Sequence, residues 1–137
     1  MDRDRPSAYV EGCPLHPSYP AGHAVIAGAC ATVLKALFEE TDLVSGVVTP
    51  SDDGLSLVAD SNVALTIGGE LNQLAFNIPM ARDWAGIHYR SDAAGGLLLG
   101  EAVAICFLQD NVGTFTESFA GFQFTKFDGT AVSIVAG

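Results

Sequence analysis

A chain of 137 residues suits one domain built around one hydrophobic core. Its formal charge of -10, with six Lys and Arg in all, argues against nucleic acid and anionic membrane surfaces as partners. Apolar residues make up 49% of the chain, which predicts either an unusually apolar core or apolar surface covered by a partner. Lys35, Glu70, Arg82 and Glu101 interrupt the apolar stretches, so none reads as a membrane span of roughly 20 apolar residues. Asp2 to Pro6 lead into no apolar run, so no secretory signal is read and a cytoplasmic location is favoured. Cys13, Cys30 and Cys106 are far apart and lack CxxC spacing, which fits neither a disulfide framework nor a zinc cluster. Cys30 and Cys106 lie in apolar runs and are expected to be small core residues.

In chain order, the first twenty residues hold four of the six prolines and read as an extended lead-in. From Gly22 to about Glu40, Val25, Ile26, Ala29, Val33, Leu34, Leu37 and Phe38 recur at helical spacing. That helix is nearly all apolar and is expected to be largely buried. Residues 43–66 carry Val47 and Val48, a Pro50 to Gly54 turn signal, then Leu55, Leu57 and Val58, which predicts a hairpin or ordered loop. A second helix is predicted from Thr66 to about Trp84, kinked or shortened by Pro79 and ended by Gly86. Asp92 is the expected N-cap of a third helix, Ala93 to about Leu108. Five phenylalanines from Phe115 to Phe127, Asp128-Gly129, then Val132, Ile134 and Val135 predict a C-terminal hairpin. The expected fold is therefore mainly α: a single domain over 1–137, about three helices of a partial bundle, with two β-hairpin or loop segments.

Two clusters carry chemistry. The first, His16 to His23, leads straight into the first helix. A helix start offers unpaired N–H groups and a positive dipole end, where phosphate-like anions bind. Gly22 permits close approach to the backbone, and His23 beside it can donate or accept a proton. The second cluster runs from Arg82 to Asp92. Arg82 and His88 would point to different faces of one unbroken helix, but a helix end at Gly86 lets both converge. A guanidinium suits a tetrahedral oxyanion, and His88 can bind a metal centre with Asp92 holding its other nitrogen. Taken singly, each cluster also has an ordinary explanation. The first is then a proline-bounded loop before a buried helix. The second is then a surface Arg, a Trp–His packing cluster and a helix cap, with Arg90 a solvated charge.

Together the clusters are far more specific. HPSYPAGHAVIAGACATVLKALF followed by ARDWAGIHYRSDAAGGLLLGEAVAI resembles the vanadium-dependent haloperoxidases of bromoperoxidase type, over roughly residues 12–110. These share a superfamily with type 2 phosphatidic acid phosphatases and bacterial class A acid phosphatases. The superfamily motifs are Lys-x6-Arg-Pro, Pro-Ser-Gly-His and Ser-Arg-x5-His-x3-Asp. The last two are matched by Pro20-Ala21-Gly22-His23 and Ala81-Arg82-x5-His88-x3-Asp92. The resemblance implies vanadate as cofactor, bound covalently by His88, with its oxygens held by Arg82 and the Gly22 amide. It implies His23 as the acid–base residue, His16 as a second histidine near the site, and hydrogen peroxide and halide, bromide first, as substrates.

The match also has gaps. Ala21 and Ala81 stand where the superfamily usually has Ser, so a hydroxyl donor to the oxyanion is lost at Ala21. Nothing matches the upstream Lys and Arg: Arg5-Pro6 has no Lys seven residues before it, and Lys35 and Lys126 are elsewhere. The expectation is a chain corresponding to the C-terminal part of a haloperoxidase, with reduced anion affinity. Three functions stay open: a vanadium haloperoxidase, weak or inactive as an isolated chain or completed by another; a phosphatase with His88 as nucleophile and phosphate in the site; and a non-catalytic domain with the site empty. A homodimer or higher oligomer is expected to cover apolar faces of residues 22–40 and 93–108.

Overall fold

The computed structural model describes residues 14–60, 62–116 and 118–135. Arg5-Pro6, Cys13 and most of the extended lead-in lie outside them. In order the elements are α1 (Gly22–Leu37), β1 (Val48–Pro50), β2 (Leu57–Ala59), α2 (Ile67–Trp84), α3 (Arg90–Val112), β3 (Phe122–Thr125) and β4 (Ala131–Ile134). The mainly helical architecture with two small hairpins is the one its patterning predicts.

α1 is the central helix. It packs extensively against α3 and against α2, while α2 and α3 barely touch. The α1–α3 contact depends on missing side chains. A Cβ on Gly100 would collide with the carbonyl of Val25, and one on Gly28 with the carbonyl of Leu97. The two backbones therefore run closer than any larger residue allows. Such an interface uses one narrow side of α1, so the helix is not buried all round. Ile26, Cys30 and Leu37 are exposed, and so is Cys106 on α3. The expectation that both cysteines sit in the core is wrong for this reason: the small residues that face the neighbour are Gly and Ala.

Helix ends differ from the expected ones by a few residues, and each has a local cause. α1 stops at Leu37, where Phe38 N donates to the Leu34 carbonyl. Glu40 is then free to receive Gly68 N on its carbonyl at 3.0 Å. α2 begins after Thr66, whose hydroxyl accepts from Gly69 N, a standard N-cap bond. It continues through Pro79, which is buried within it, and ends in Ala85 and a left-handed Gly86. α3 starts earlier than expected. Tyr89, not Asp92, is its N-cap; Asp92 is the third helical residue, and its Oδ2 accepts from Tyr89 N at 3.1 Å. α3 has 23 residues and, by length and composition alone, could cross a membrane. That differs from the sequence expectation, although its buried Gly96, Gly100 and Ala104 face protein, not lipid.

β1 and β2 pair antiparallel with Thr49 opposite Val58, and Ser51 to Ser56 form the turn. β3 and β4 pair with Phe124 opposite Val132, and Gly129 has positive φ in their turn. The second hairpin closes the core. Phe122, Phe124 and Ile134 pack on Leu108 and Val112 of α3, and Phe115 and Phe119, tilted against each other, both meet Phe122 edge to face. Polar bonds fasten the same hairpin: Thr125 N donates to Glu40 Oε2, and Phe127 N to Glu101 Oε1 at 2.6 Å. Lys35, 1% exposed, joins this end by bonding Asn72 at 3.1 Å, pairing with Glu40 at 3.5 Å and lying over the Phe127 ring.

Candidate oxyanion site

α1 opens without a side-chain cap: Ala21 precedes it and offers no hydroxyl or carboxylate. The first N–H groups of a helix lack intrahelical acceptors, so Gly22 and His23 present donors at its positive end. Both residues line a cavity of about 230 Å³ together with Pro14, His16, Arg82, Ile87 and His88. A Cβ added at Gly22 would meet nothing within 4 Å, so the space beside the backbone there is open.

The opposite wall comes from the α2–α3 junction. Arg82 is in the last turn of α2 and His88 follows the Gly86 turn. Gly86 N donates to Asp83 O and Ile87 N to Arg82 O, which folds the chain back so that Arg82 and His88 face one cavity. The buried Ile87 lines it with apolar surface. His88 has a side chain 5% exposed, and its Nδ1 lies 3.6 Å from Asp92 Oδ2. With Nδ1 turned to Asp92, Nε2 is the ring nitrogen left for a ligand in the cavity. Asp92 is held below the usual carboxylate range, first by the Tyr89 N–H and further by Ser18, Ser91 and His88. It therefore stays an anion facing His88. His16 Nδ1 donates to the Pro17 carbonyl at 2.8 Å, which leaves its Nε2 unprotonated in the neutral ring.

The structure thus gathers His16, Gly22, His23, Arg82 and His88 around one cavity, with Asp92 behind His88. Arg90 is elsewhere; it lines a separate apolar groove with Asn72, Phe76 and Leu98 between α2 and α3. Lys35 and Lys126 belong to the hairpin end. Ala21 is fully buried and does not line the cavity. Its amide donates to the Asp92 carbonyl at 3.1 Å, so the two clusters are joined through backbone. Sequence reasoning missed three residues: Ile87 in the cavity wall, Ser18 against Asp92, and Asp83. Both carboxylate oxygens of Asp83 are buried without a hydrogen-bond partner among the described residues. Only Ser18 carried a signal, as a hydroxyl inside the His16–His23 segment. Among the described residues no cluster of three His, Cys, Asp or Glu could hold a metal cation. The donors in the cavity are N–H groups, a guanidinium and imidazoles, a set that suits an oxyanion.

The model of the VCPO second helical-bundle domain matches residues 1–114. The chain belongs to the vanadium haloperoxidase family. It is 48% identical over 130 residues to the vanadium-dependent bromoperoxidase of Corallina officinalis, covering 94% of this chain and 22% of that protein. The bromoperoxidase of Corallina pilulifera matches to the same extent. That of Ascophyllum nodosum is 45% identical over 132 residues, 94% of this chain and 24% of its own length. The haloperoxidase-family chain therefore spans between a fifth and a quarter of the curated relatives it matches. The second hairpin lies beyond the matched bundle domain.

Proposed function

We propose that this chain carries the histidine-bearing half of a vanadate site and acts in peroxide-dependent oxidation of halide, bromide first. The observation that carries the reading is the convergence of Gly22, His23, Arg82 and His88 on one cavity, in a chain of this family. The donor set fits the group: an uncapped helix start, a planar guanidinium fork and a histidine backed by a carboxylate. Bound vanadate supplies the centre at which hydrogen peroxide is activated and bromide is oxidised by two electrons to hypobromous acid.

The chain's own residues do the rest. His88 offers Nε2 as ligand while Asp92 keeps the proton on Nδ1. Arg82 and the Gly22 amide bind oxyanion oxygens and offset their charge. His23, next along α1, takes a proton from peroxide and returns it to the departing oxygen. His16 Nε2 is a second acceptor at the rim.

A second reading, anion binding without turnover, rests on charge: Arg82 is the only Lys or Arg lining the cavity among the described residues. A further cation would then come from another chain or segment. Isothermal titration with orthovanadate, and bromide oxidation by peroxide followed optically, separate the two. Binding with turnover, both lost in His88→Ala, is the expected result. Binding without turnover supports the second reading, and no binding at saturating vanadate overturns both. Hydrolysis of a phosphomonoester at the same site would instead mark a phosphatase. The exposed Ile26, Leu99, Val103 and Phe107 support a homo-oligomer. Light scattering at micromolar concentration checks it, and a monomer refutes it.

A further inference from the structure

We propose that the groove between α2 and α3 binds a linear amphipathic carboxylate, its head on Arg90 and its apolar chain laid along the helices. The groove shares no lining residue with the oxyanion cavity, so this site stands apart from the vanadate reading.

The groove follows from how the helices pack. α2 and α3 both lie on α1 but barely touch each other. Between them they leave a volume of about 410 Å³. Its floor is made of compact residues, the buried Ala75, Pro79 and Ala93. Its rims are larger and apolar: Phe76 and Leu98 are each about half exposed. Compact residues below and tall ones above make a slot. Helices in contact have axes about 8–10 Å apart, too close for a third helix about 10 Å across to reach the floor. An unbranched chain can reach it. Arg90 and Leu98 both line the slot and lie two turns apart on α3, so it runs about 12 Å along the helix.

The charge at one end selects the head. Acidic residues outnumber basic ones sixteen to six in this chain, so a cation without an acidic partner is unexpected. Lys35 pairs with Glu40, Lys126 pairs with Asp128, and Arg82 has a partner of its own. Arg90 makes no hydrogen bond or ion pair among the described residues. Asp92, the acid closest to it in sequence, is taken up by the Tyr89 N–H at 3.1 Å and the Ser91 hydroxyl at 3.2 Å. The Arg90 guanidinium therefore stands open at the end of an apolar slot. Its planar fork of N–H donors matches the two oxygens of a carboxylate. An apolar chain alone gains the slot but not the fork, and a cationic head is repelled there.

The test titrates decanoate, below its micellar range, into the chain by calorimetry, with decyltrimethylammonium as the cation of matching chain. Saturable one-to-one binding of decanoate is expected, at least tenfold tighter than that of the cation. Arg90→Gln should weaken decanoate about tenfold. Ala94→Trp should abolish its binding, because Ala94 lines the groove from an exposed position and an indole there fills the slot without entering the core. Both variants should keep the wild-type melting temperature and orthovanadate affinity. Arg90 is exposed, so Arg90→Gln decides the matter alone should Ala94→Trp not fold. No saturable binding to the wild type, equal affinity for the two amphiphiles, or unchanged decanoate affinity in either variant overturns the proposal. So does a second copy seated in the groove, seen by light scattering as an oligomer that takes up no decanoate and dissociates in Ala94→Trp. A wild type that binds decanoate but not orthovanadate keeps this site and removes the vanadate reading.

Discussion

At the hairpin end, Lys35, Glu40 and Glu101 bring buried charge into the core, and each has partners: Asn72 and Phe127 for Lys35, backbone amides for the two glutamates. At the cavity end, the Asp83 carboxylate and His88 Nδ1 are buried without a hydrogen-bond partner of normal length among the described residues. A buried polar group left unsatisfied costs stability, so folds keep one only where something else requires it. The hairpin end is built to hold the helices together. The cavity end leaves its polar groups less bonded to one another, which is the arrangement the proposed oxyanion site calls for at His88.

Four experiments can break or sharpen this contrast. The largest effect is expected at the hairpin end. Lys35→Ala removes one side of a buried pair and should lower stability by about 3 kcal/mol in urea denaturation, with oxyanion affinity of the folded protein unchanged. A loss below about 1 kcal/mol would show that Lys35 is dispensable there. Gly22→Ala should do the reverse. Its methyl meets no protein atom, so the melting temperature stays, but it takes up space at the cavity wall and weakens orthovanadate about tenfold by calorimetry. Equal affinity would move the oxyanion away from Gly22.

Asp83→Asn should leave the fold intact and raise stability by about 1 kcal/mol, because it removes a buried charge without a hydrogen-bond partner among the described residues. Destabilisation would mean that Asp83 has a structural role. The smallest effect is expected from acid. Asp128 sits at about 2, against an ordinary 3.8, chiefly because the Thr130 N–H bonds its carboxylate, aided by Lys126. Its folded value is depressed, so its contribution is complete above about pH 4 and fades as pH falls toward 2. A thermal melt series through that window should show Asp128→Asn losing less stability than wild type.

Much of this was legible in the sequence, for identifiable reasons. Apolar periodicity located all three helices, and Asp53-Gly54 and Asp128-Gly129 both became turns with positive-φ glycine. Gly86 separated Arg82 from His88 as its conformational freedom suggested. What periodicity could not give was which side of α1 faces α3. That depends on Gly28, Gly96 and Gly100, residues without an apolar signal, and it turned Cys30 and Cys106 outward. The start of α3 was misplaced for a similar reason. Asp92 works backward as the acid of a capping box, and short-range sequence does not tell that role from a cap. The anchoring by Lys35, Glu40 and Glu101 joins residues up to 85 apart, beyond any local pattern.

The backbone bond from Ala21 N to Asp92 O has one more consequence. Neither partner in it is a side chain, so any residue but proline at position 21, and any residue at position 92, could keep it. The spacing between the two walls of the cavity is then a property of the chain's path, not of its composition. A lineage can therefore change the residues that touch the ligand, one at a time, without losing the frame they hang on. For the same reason the cavity is a practical starting point for grafting new donors.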